Sequence, residues 1–281
     1  MILEVLEFGF MQRALIAGVS VAITSSVIGL FLVLRRNSLF GDALSHAAFG
    51  GIAIGLATNI YPLWTGLTLS ILGALGITKL RQYAKIPADA TVAILLSSGL
   101  ALGILLISIS GGFTLDLFSF LFGSIMLVSV EDTLAILAMT GIILSIIILL
   151  YRQLMYITFD EEQARVSGLP ISKLNYLFII LASVAVIVSM RLVGILLVSS
   201  LLVIPNVTAL LFNKGFKKPA LISVSLSIFS VVTGIAISYA ANLAPAGTIV
   251  LVSTAVFLTV LAARHYSKKK QIVKKLEEAR S

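Results

Sequence analysis

The sequence predicts an all-α membrane protein, a polytopic transmembrane helical bundle of about 8–9 spans. Of the 281 residues, 59% are hydrophobic and 11% are charged, whereas ordinary soluble domains carry roughly 25% charged residues. The apolar residues form continuous runs of about 18 or more, long enough for a helix to cross a hydrocarbon core about 30 Å thick. Because the runs are continuous, they argue against a transmembrane β-barrel, whose strands alternate apolar and polar residues.

Nine apolar segments follow one another along the chain, and each is a candidate span. They are residues 14–34, 42–58, 62–80, 88–108, 132–151, 171–190, 192–212, 219–240 and 247–263. A further apolar segment, 117–128, is too short to cross comfortably. We expect it to re-enter or to belong to a broken helix, which a bilayer tolerates only where protein or a cavity surrounds the backbone.

Basic residues indicate the orientation of these spans. With nine crossings and an outer N-terminus, the inner loops hold most of the Lys and Arg, and the outer loops hold only Arg13 and Arg191. Such an asymmetry marks the cytoplasmic side. The last residues add seven Lys and Arg against two Glu, which is typical of an inner anchor near anionic lipid. We therefore expect a transmembrane domain over 1–263 and a basic cytoplasmic tail over 264–281.

The second apolar segment carries the polar pair that most needs an explanation. Its start, FGDALSHAAFGG, places Asp42 and His46 four residues apart and therefore on one face of a helix, with Gly50 one turn further. The adjacent stripe is entirely small, with Ala43, Ala47, Gly51 and Gly55. Small residues at this spacing let helix backbones approach closely. The segment thus predicts a tight helix contact beside a carboxylate and an imidazole.

Three interpretations of the polar pair stay open from spacing alone. An intramembrane charge is costly unless it is paired or faces water. A carboxylate with an imidazole suits Zn²⁺, Mn²⁺ or Fe²⁺ better than Na⁺ or K⁺, and two ligands suit a route that must release its ion. The same residues also fit a proton relay, or a structural hydrogen-bonded pair that locks two helices. The chain has no cysteine, which excludes disulfides and thiolate metal sites.

The connection after the fifth span carries the signals of a short helix. In FDEEQARVSGLP, Asp160 is a good N-cap, and Glu161 and Glu162 favour the positive N-terminal end of a helix. Gly168 can end the helix in a left-handed conformation. We expect a short, well-capped cytoplasmic helix near 159–169, either an ordinary surface helix or a rigid contact for a partner.

The seventh span contains a proline, in LLVIPNVTALL. Pro205 has no backbone N–H, so it frees a carbonyl within the span and kinks the helix. Asn206 lies beside that opening. A kinked helix can line or gate a path, although many kinks are only packing features.

Five stretches of this sequence resemble the permease subunits of metal-cation ABC importers, the zinc/manganese/iron ABC-3 family. They are FGDALSHAAFGGIAIG (40–55), SFLFGSIMLVSVED (119–132), FDEEQARVSGLPISKLNYL (159–177), RLVGILLVSSLLVIPNVTALL (191–211) and APAGTIVLVS (244–253). The resemblance implies a type II ABC importer-like permease in the plasma membrane, with a cytoplasmic C-terminus. Such a subunit is part of a transporter and is not itself an enzyme. The chain has no G-x-x-x-x-G-K-[ST] pattern, so ATP must be handled by a separate ATPase subunit.

The resemblance also implies roles for individual residues. It places Asp42 and His46 on the route of a divalent metal, Zn²⁺, Mn²⁺ or Fe²⁺, which moves inward by alternating access. Coupling to the ATPase would involve Asp160, Glu161, Glu162, Arg165 and Gly168. Gating or packing would involve Ala47, Gly50, Gly51, Pro205 and Asn206.

The same resemblance implies a set of partners. They are the ABC ATPase subunit, an extracytoplasmic metal-binding protein, a second copy of the permease and the lipid bilayer, with no nucleic acid and no permanently bound cofactor. Two other classes stay open. A proton-coupled secondary metal ion transporter would use the same Asp–His pair without an ATPase, and a membrane scaffold would use the pair only for structure.

Overall fold

The computed structural model describes residues 8–110, 120–123, 128–195, 198–212 and 217–278, and no strand occurs within these ranges. Ten α-helices occupy them: α1 (Gly9–Leu34), α2 (Phe40–Thr58), α3 (Pro62–Ala84), α4 (Ala88–Ile109), α5 (Val130–Phe159), α6 (Glu161–Val166), α7 (Ile171–Val193), α8 (Val198–Leu210), α9 (Lys217–Ala241) and α10 (Pro245–Glu278). In the described part of the chain, eight helices are long and apolar enough to cross a membrane, all except α6 and α8. The predicted all-α bundle of about 8–9 spans is confirmed.

Helix α1 lies at the centre of the bundle and contacts α5, α7, α8 and α9. Three of its hydroxyl side chains are buried and form hydrogen bonds to other helices, because a hydrocarbon core offers no water to satisfy them. The pairs are Thr24 with Thr140 of α5 (3.0 Å), Ser25 with Ser189 of α7 (3.0 Å) and Ser26 with Ser223 of α9 (2.6 Å). These bonds fix the packing of α1 against three neighbours.

Helix α2 is enclosed between α3 and α4 and also contacts α7. The largest cluster of buried apolar side chains surrounds it and extends to α1 and α5. In this cluster the rings of Phe31 and Phe178 meet edge to face with centroids 5.9 Å apart. A second cluster joins the N-terminal half of α1 to α9 and α10. Helix α2 is therefore held by the first core, away from the second.

The predicted seventh span, 192–212, is not a continuous helix. Helix α7 continues to Val193, and the 13-residue helix α8 begins at Val198. Gly194 between them has a φ of +78°, which glycine adopts without strain. A Cβ at Gly194 would meet the backbone of residues 121–123, so the chain breaks where another segment packs against it.

The segment that packs against this break is part of the apolar stretch 117–128. Residues 117–119 and 124–127 lie outside the described residues. Phe120 is buried in the main cluster, and the backbone of residues 121–123 lies against Gly194. The prediction that this stretch does not form a span stays a prediction, because 117–119 and 124–127 lie outside the described residues.

Two helices extend beyond their predicted ends. Helix α5 continues eight residues past 151, because Leu154 and Ile157 remain buried against the bundle. Its start is fixed by a capping box, in which the Ser129 hydroxyl accepts from the Asp132 N–H and the Asp132 carboxylate accepts from the Ser129 N–H. Helix α10 runs on to Glu278, so most of the predicted tail 264–281 is a helical extension of the last span.

Candidate metal site and its surroundings

Helix α2 brings Asp42 and His46 together on one face near its N-terminal end. The Nε2 atom of His46 lies 3.8 Å from Oδ1 of Asp42. The Asp42 side chain is 26% exposed and the His46 side chain 12% exposed, although most of α2 is buried. Both side chains of the pair are therefore partly exposed and can reach a ligand.

A third polar group comes from helix α8. The Ser199 hydroxyl donates to Oδ1 of Asp42 at a distance of 3.2 Å. The carboxylate oxygen that faces the imidazole thus also accepts from a hydroxyl. Ser199 lies in the first turn of α8, where the helix carries a positive partial charge that favours a nearby anion. The break between α7 and α8 is what allows a helix N-terminus to begin beside Asp42.

The two nitrogens of the His46 ring differ in their surroundings. Its Nδ1 atom is buried, and the described residues offer it no hydrogen-bond partner. A hydrogen bond to one ring nitrogen normally fixes which nitrogen carries the proton. Without that bond, Nε2 can either carry the proton or offer its lone pair to a ligand.

The donor set is one carboxylate, one imidazole and one hydroxyl. Imidazole and carboxylate groups together bind divalent first-row metals. Among the described residues, no group of three or more His, Cys, Asp or Glu side chains could hold a metal ion. The described residues therefore supply only part of a coordination shell at Asp42 and His46.

Close backbone contacts support the site from two sides. A Cβ on Gly99 of α4 would lie 2.6 Å from the His46 carbonyl oxygen and from the Ala47 nitrogen. A Cβ on Gly50 would lie 2.9 Å from the Gly99 carbonyl, and a Cβ on Gly51 would meet the backbone of α3. The small-residue stripe is thus a contact among three helices, and Gly50 joins it.

Pro205 lies inside α8, and Asn206 next to it is fully buried. The Asn206 Nδ2 donates to the Leu202 carbonyl at 2.8 Å, and its Oδ1 accepts from the Ser223 hydroxyl at 2.6 Å. A Cβ on Gly29 of α1 would lie 2.5 Å from the Asn206 side chain. The Asn206 side chain therefore bonds once within α8 and once to α9, at a tight contact between α1 and α8.

Helix α6 is capped at both ends. The Asp160 carboxylate accepts from the Gln163 N–H at 2.9 Å, as the sequence predicted. Gly168 has a φ of +80°, and the Leu169 N–H donates to the Ala164 carbonyl at 3.2 Å. This bond closes the helix end in the pattern of a Schellman motif.

One face of α6 rests on the bundle and the rest is exposed. Ala164 is buried in a small apolar cluster between α5 and α7, whereas Val166 is 90% exposed. Arg165 and Glu161 form an ion pair of 3.5 Å within the helix, and Glu162 is exposed. The helix thus presents a rigid outer surface with an apolar side chain on it.

The sequence reasoning missed Ser199, although two signals were available. Two adjacent serines at 199 and 200 interrupt an otherwise apolar run, and polar side chains within a span are expected to contact something specific. Gly194 lies five residues before Ser199 and marks the break. Neither signal identifies Asp42 as the partner, because the two residues are 157 positions apart.

Comparisons with known proteins agree with one another. The sequence profile of the family described as "ABC 3 transport family" matches residues 7–264. The manganese transport system membrane protein MntC of Listeria innocua is 33% identical over 273 residues, covering 95% of this chain and 97% of the relative. The manganese import system permease protein ScaB of Streptococcus gordonii is 33% identical over 267 residues, covering 94% of this chain and 96% of the relative.

A solved structure matches over nearly the whole chain. It is that of PsaBC from Streptococcus pneumoniae in complex with Fab, with a TM-score of 0.85 and 32% sequence identity. The match covers 96% of this chain and 100% of that one. The bundle described above is therefore shared at the level of the whole domain.

Proposed function

Since this chain belongs to the ABC 3 transport family, as a permease subunit of a metal-cation ABC importer, we propose that it carries a divalent transition metal inward past Asp42 and His46. The observation that carries the proposal is the shared carboxylate oxygen. Oδ1 of Asp42 lies 3.2 Å from the Ser199 hydroxyl and 3.8 Å from Nε2 of His46. Three partly exposed donors thus converge within a largely apolar bundle.

We propose Mn²⁺ as the preferred ion. Two of the three donors are oxygen atoms, which suit Mn²⁺, whereas imidazole accepts Zn²⁺ and Fe²⁺ as well. The names of MntC and ScaB describe manganese transport or import, which supports the same choice. A shell of few protein ligands holds the ion loosely enough to release it.

The rest of the shell would come from water and from a second copy of the chain. Two copies facing each other across the route would supply two carboxylates and two imidazoles. The 1–263 domain would span the plasma membrane, with the 264–281 tail in the cytoplasm. An extracytoplasmic binding protein would deliver the ion, and a separate ABC ATPase would drive alternating access.

Helix α6 would be the contact with the ATPase. Its caps at Asp160 and Gly168 make it rigid, and Val166 is 90% exposed at its surface. A rigid helix transmits a displacement without fraying. The Arg165–Glu161 ion pair is within the helix, so Glu162 is the acidic side chain left to meet the partner.

Uptake measurements on paired variants test the route. The chain is reconstituted into vesicles with its ATPase, and Mn²⁺ uptake is measured with ATP. We expect D42N and H46Q to reduce uptake to near background, since each removes one ligand. Matched controls are D89N and H265Q, because Asp89 and His265 are exposed residues of the same types elsewhere in the chain.

The two control variants distinguish loss of the metal route from a general effect of substituting an Asp or a His. D89N and H265Q are expected to transport at the rate of the unmodified chain. If D42N and H46Q assemble normally and transport as well as these controls do, the proposed metal route is wrong. Repeating the assay with Zn²⁺ and Fe²⁺ tests the choice of Mn²⁺ separately.

A further inference from the structure

A large cavity lies at one end of the bundle, and Phe40 of its lining is two residues before Asp42. It has a volume of about 1190 Å³ and is bordered by the ends of α1 and α3, the starts of α2, α4 and α7, and helix α6. Neither Asp42 nor His46 lines it. The cavity is therefore a separate feature from the proposed metal site.

The wall of this cavity is strongly basic. Six cationic side chains line it, namely Arg35, Arg36, Arg81, Lys85, Arg165 and Lys173. The single acidic residue among its lining residues is Glu161, which is paired with Arg165. Such a wall attracts anions and repels a divalent cation, so the cavity fits an anionic ligand and is a poor exit for metal.

Two hydrogen bonds and a ring contact hold the Arg35 guanidinium at the wall of the cavity, and one of its nitrogens makes no hydrogen bond to the described residues. Its Nε donates to the Thr158 hydroxyl at 3.0 Å, and its Nη1 donates to the Asn175 side chain at 3.0 Å. The guanidinium also lies over the Phe178 ring, 4.5 Å from its centroid. Its Nη2 is buried, and the described residues provide it with no hydrogen-bond partner.

The charge of Arg35 persists despite burial. Desolvation lowers its pKa to about 10, an effect that the nearby Glu161 carboxylate opposes. A group with that pKa is protonated at neutral pH. The cavity thus contains a fixed guanidinium whose Nη2 finds no acceptor among the described residues, a costly arrangement that a bound anion would relieve.

We propose that this cavity binds the phosphate headgroup of an anionic phospholipid from the cytoplasmic leaflet. Guanidinium groups match phosphate oxygens in pairs, and basic pockets between transmembrane helices on the cytoplasmic side are suited to such headgroups. Its placement at the cytoplasmic face rests on the orientation in the proposed function.

The outer face of α3 favours a lipid over a soluble anion. Leu80 and Tyr83 flank Arg81 on this helix and are 44% and 90% exposed. An acyl chain can therefore lie against an exposed apolar face of the same helix that carries Arg81. A free phosphate would use the cations alone and leave that surface uncovered.

Retention of bound lipid tests the proposal and does not depend on transport. The result can therefore be interpreted even if the proposed metal route is wrong. The full chain is reconstituted in phosphatidylcholine nanodiscs that also contain phosphatidylglycerol or cardiolipin, then extracted into detergent and weighed by native mass spectrometry. We expect anionic lipid to remain bound and phosphatidylcholine to be lost. Each of R36Q, R81Q and K85Q should weaken retention about fivefold, the contribution of one basic side chain near an anionic surface.

Arg35 itself is left unchanged, because its bonds to Thr158 and Asn175 support the fold. The matched control is R152Q/K218Q, which removes two exposed cations that do not line the cavity, and it should retain lipid normally. Equal retention of phosphatidylcholine, or normal retention by the triple variant R36Q/R81Q/K85Q, would overturn the proposal.

Two further experiments distinguish a lipid headgroup from a soluble phosphate and from the ATPase subunit as the partner of the basic wall. Glycerol phosphate is titrated into the delipidated chain by calorimetry, and binding of glycerol phosphate without retention of lipid would reject the lipid assignment. The ATPase subunit is added to the lipid-loaded chain, and we expect the lipid to stay. Its displacement would assign the basic wall to the ATPase instead.

Discussion

At the scale of single residues, the Asp42 carboxylate has neighbours from two helices. His46 is one turn along the same helix, and Ser199 comes from α8. The helical period alone predicts the first contact, because residues four apart share a face. The second depends on which helices meet in three dimensions, which local sequence does not encode.

Removing the Ser199 hydroxyl tests its contribution to the site. A hydrogen bond to a charged group contributes about 1.5 kcal/mol or more, so we expect S199A to lower the apparent affinity for Mn²⁺ in uptake about tenfold. The measurement is the initial uptake rate over a range of Mn²⁺ concentrations. S199T keeps the hydroxyl and should recover most of the affinity.

The neighbouring serine is the control for this change. Ser200 is half-buried like Ser199, and S200A removes a hydroxyl that is one residue away. We expect S200A to behave like the unmodified chain. Equal effects of S199A and S200A would mean that the contact with Asp42 does not matter for the metal.

At the scale of helices, the contact between α2 and α4 depends on the absence of a side chain at Gly99. A Cβ there would lie 2.6 Å from two backbone atoms of α2, which cannot move as a flexible side chain would. We expect G99A to destabilise the protein by about 1–3 kcal/mol through overpacking. The melting temperature of the detergent-purified chain, followed by scanning fluorimetry, checks this.

Gly141 in the middle of α5 provides the comparison. Nothing lies within 4 Å of a Cβ built there, and alanine favours a helix over glycine by about 1 kcal/mol. G141A should therefore leave the melting temperature unchanged or raise it. A loss of stability in G141A as large as that in G99A would contradict the argument from close packing.

Helix α6 provides a test of coupling. Replacing the N-cap by D160A removes the bond to the Gln163 N–H and should cost about 1 kcal/mol of helix stability. In a helix of six residues, that loss frays the contact surface. We expect lower transport-coupled ATP hydrolysis in the reconstituted complex, with the melting temperature of the bundle little changed.

Ser129 is the matched cap at the start of α5, where its hydroxyl accepts from the Asp132 N–H at 3.0 Å. S129A weakens a cap of the same kind on a 30-residue helix that is held along its length by packing. We expect coupling to be normal in S129A. Uncoupling by S129A to the same degree would show that cap loss acts through general stability.

At the scale of helices, the sequence predicted the long helices but not the break between α7 and α8. Apolar runs predicted the long helices, because the hydrophobicity of a 20-residue segment is a property of the local sequence alone. The break at Gly194 was missed, since a single glycine in an apolar run is also compatible with an unbroken helix. What forces the break is the backbone of residues 121–123 packed against it, a contact between distant parts of the chain.

At the scale of the whole molecule, the source of energy separates an ABC permease from a secondary transporter. We expect Mn²⁺ uptake into vesicles to require the ATPase subunit and ATP, and to continue when an ionophore collapses the proton gradient. The physical reason is that an ABC permease changes conformation when its ATPase partner binds and hydrolyses ATP, and this chain has no nucleotide-binding motif of its own. Uptake by the chain alone, driven by a pH difference, would support the secondary transporter instead.

The hydroxyl pairs around α1 have a consequence for how such a bundle can move. Ser189 and Thr24 each also bond the carbonyl one turn earlier in their own helix, at 2.7 and 2.9 Å. If α1 shifts, Thr24 and Ser189 can lose their partners on the next helix and still keep an acceptor in their own helix. Hydrogen bonds between transmembrane helices average only about 0.6 kcal/mol. Hydrogen bonds between α1 and its neighbours are therefore weak enough to be exchanged one at a time, while the apolar packing around them is kept.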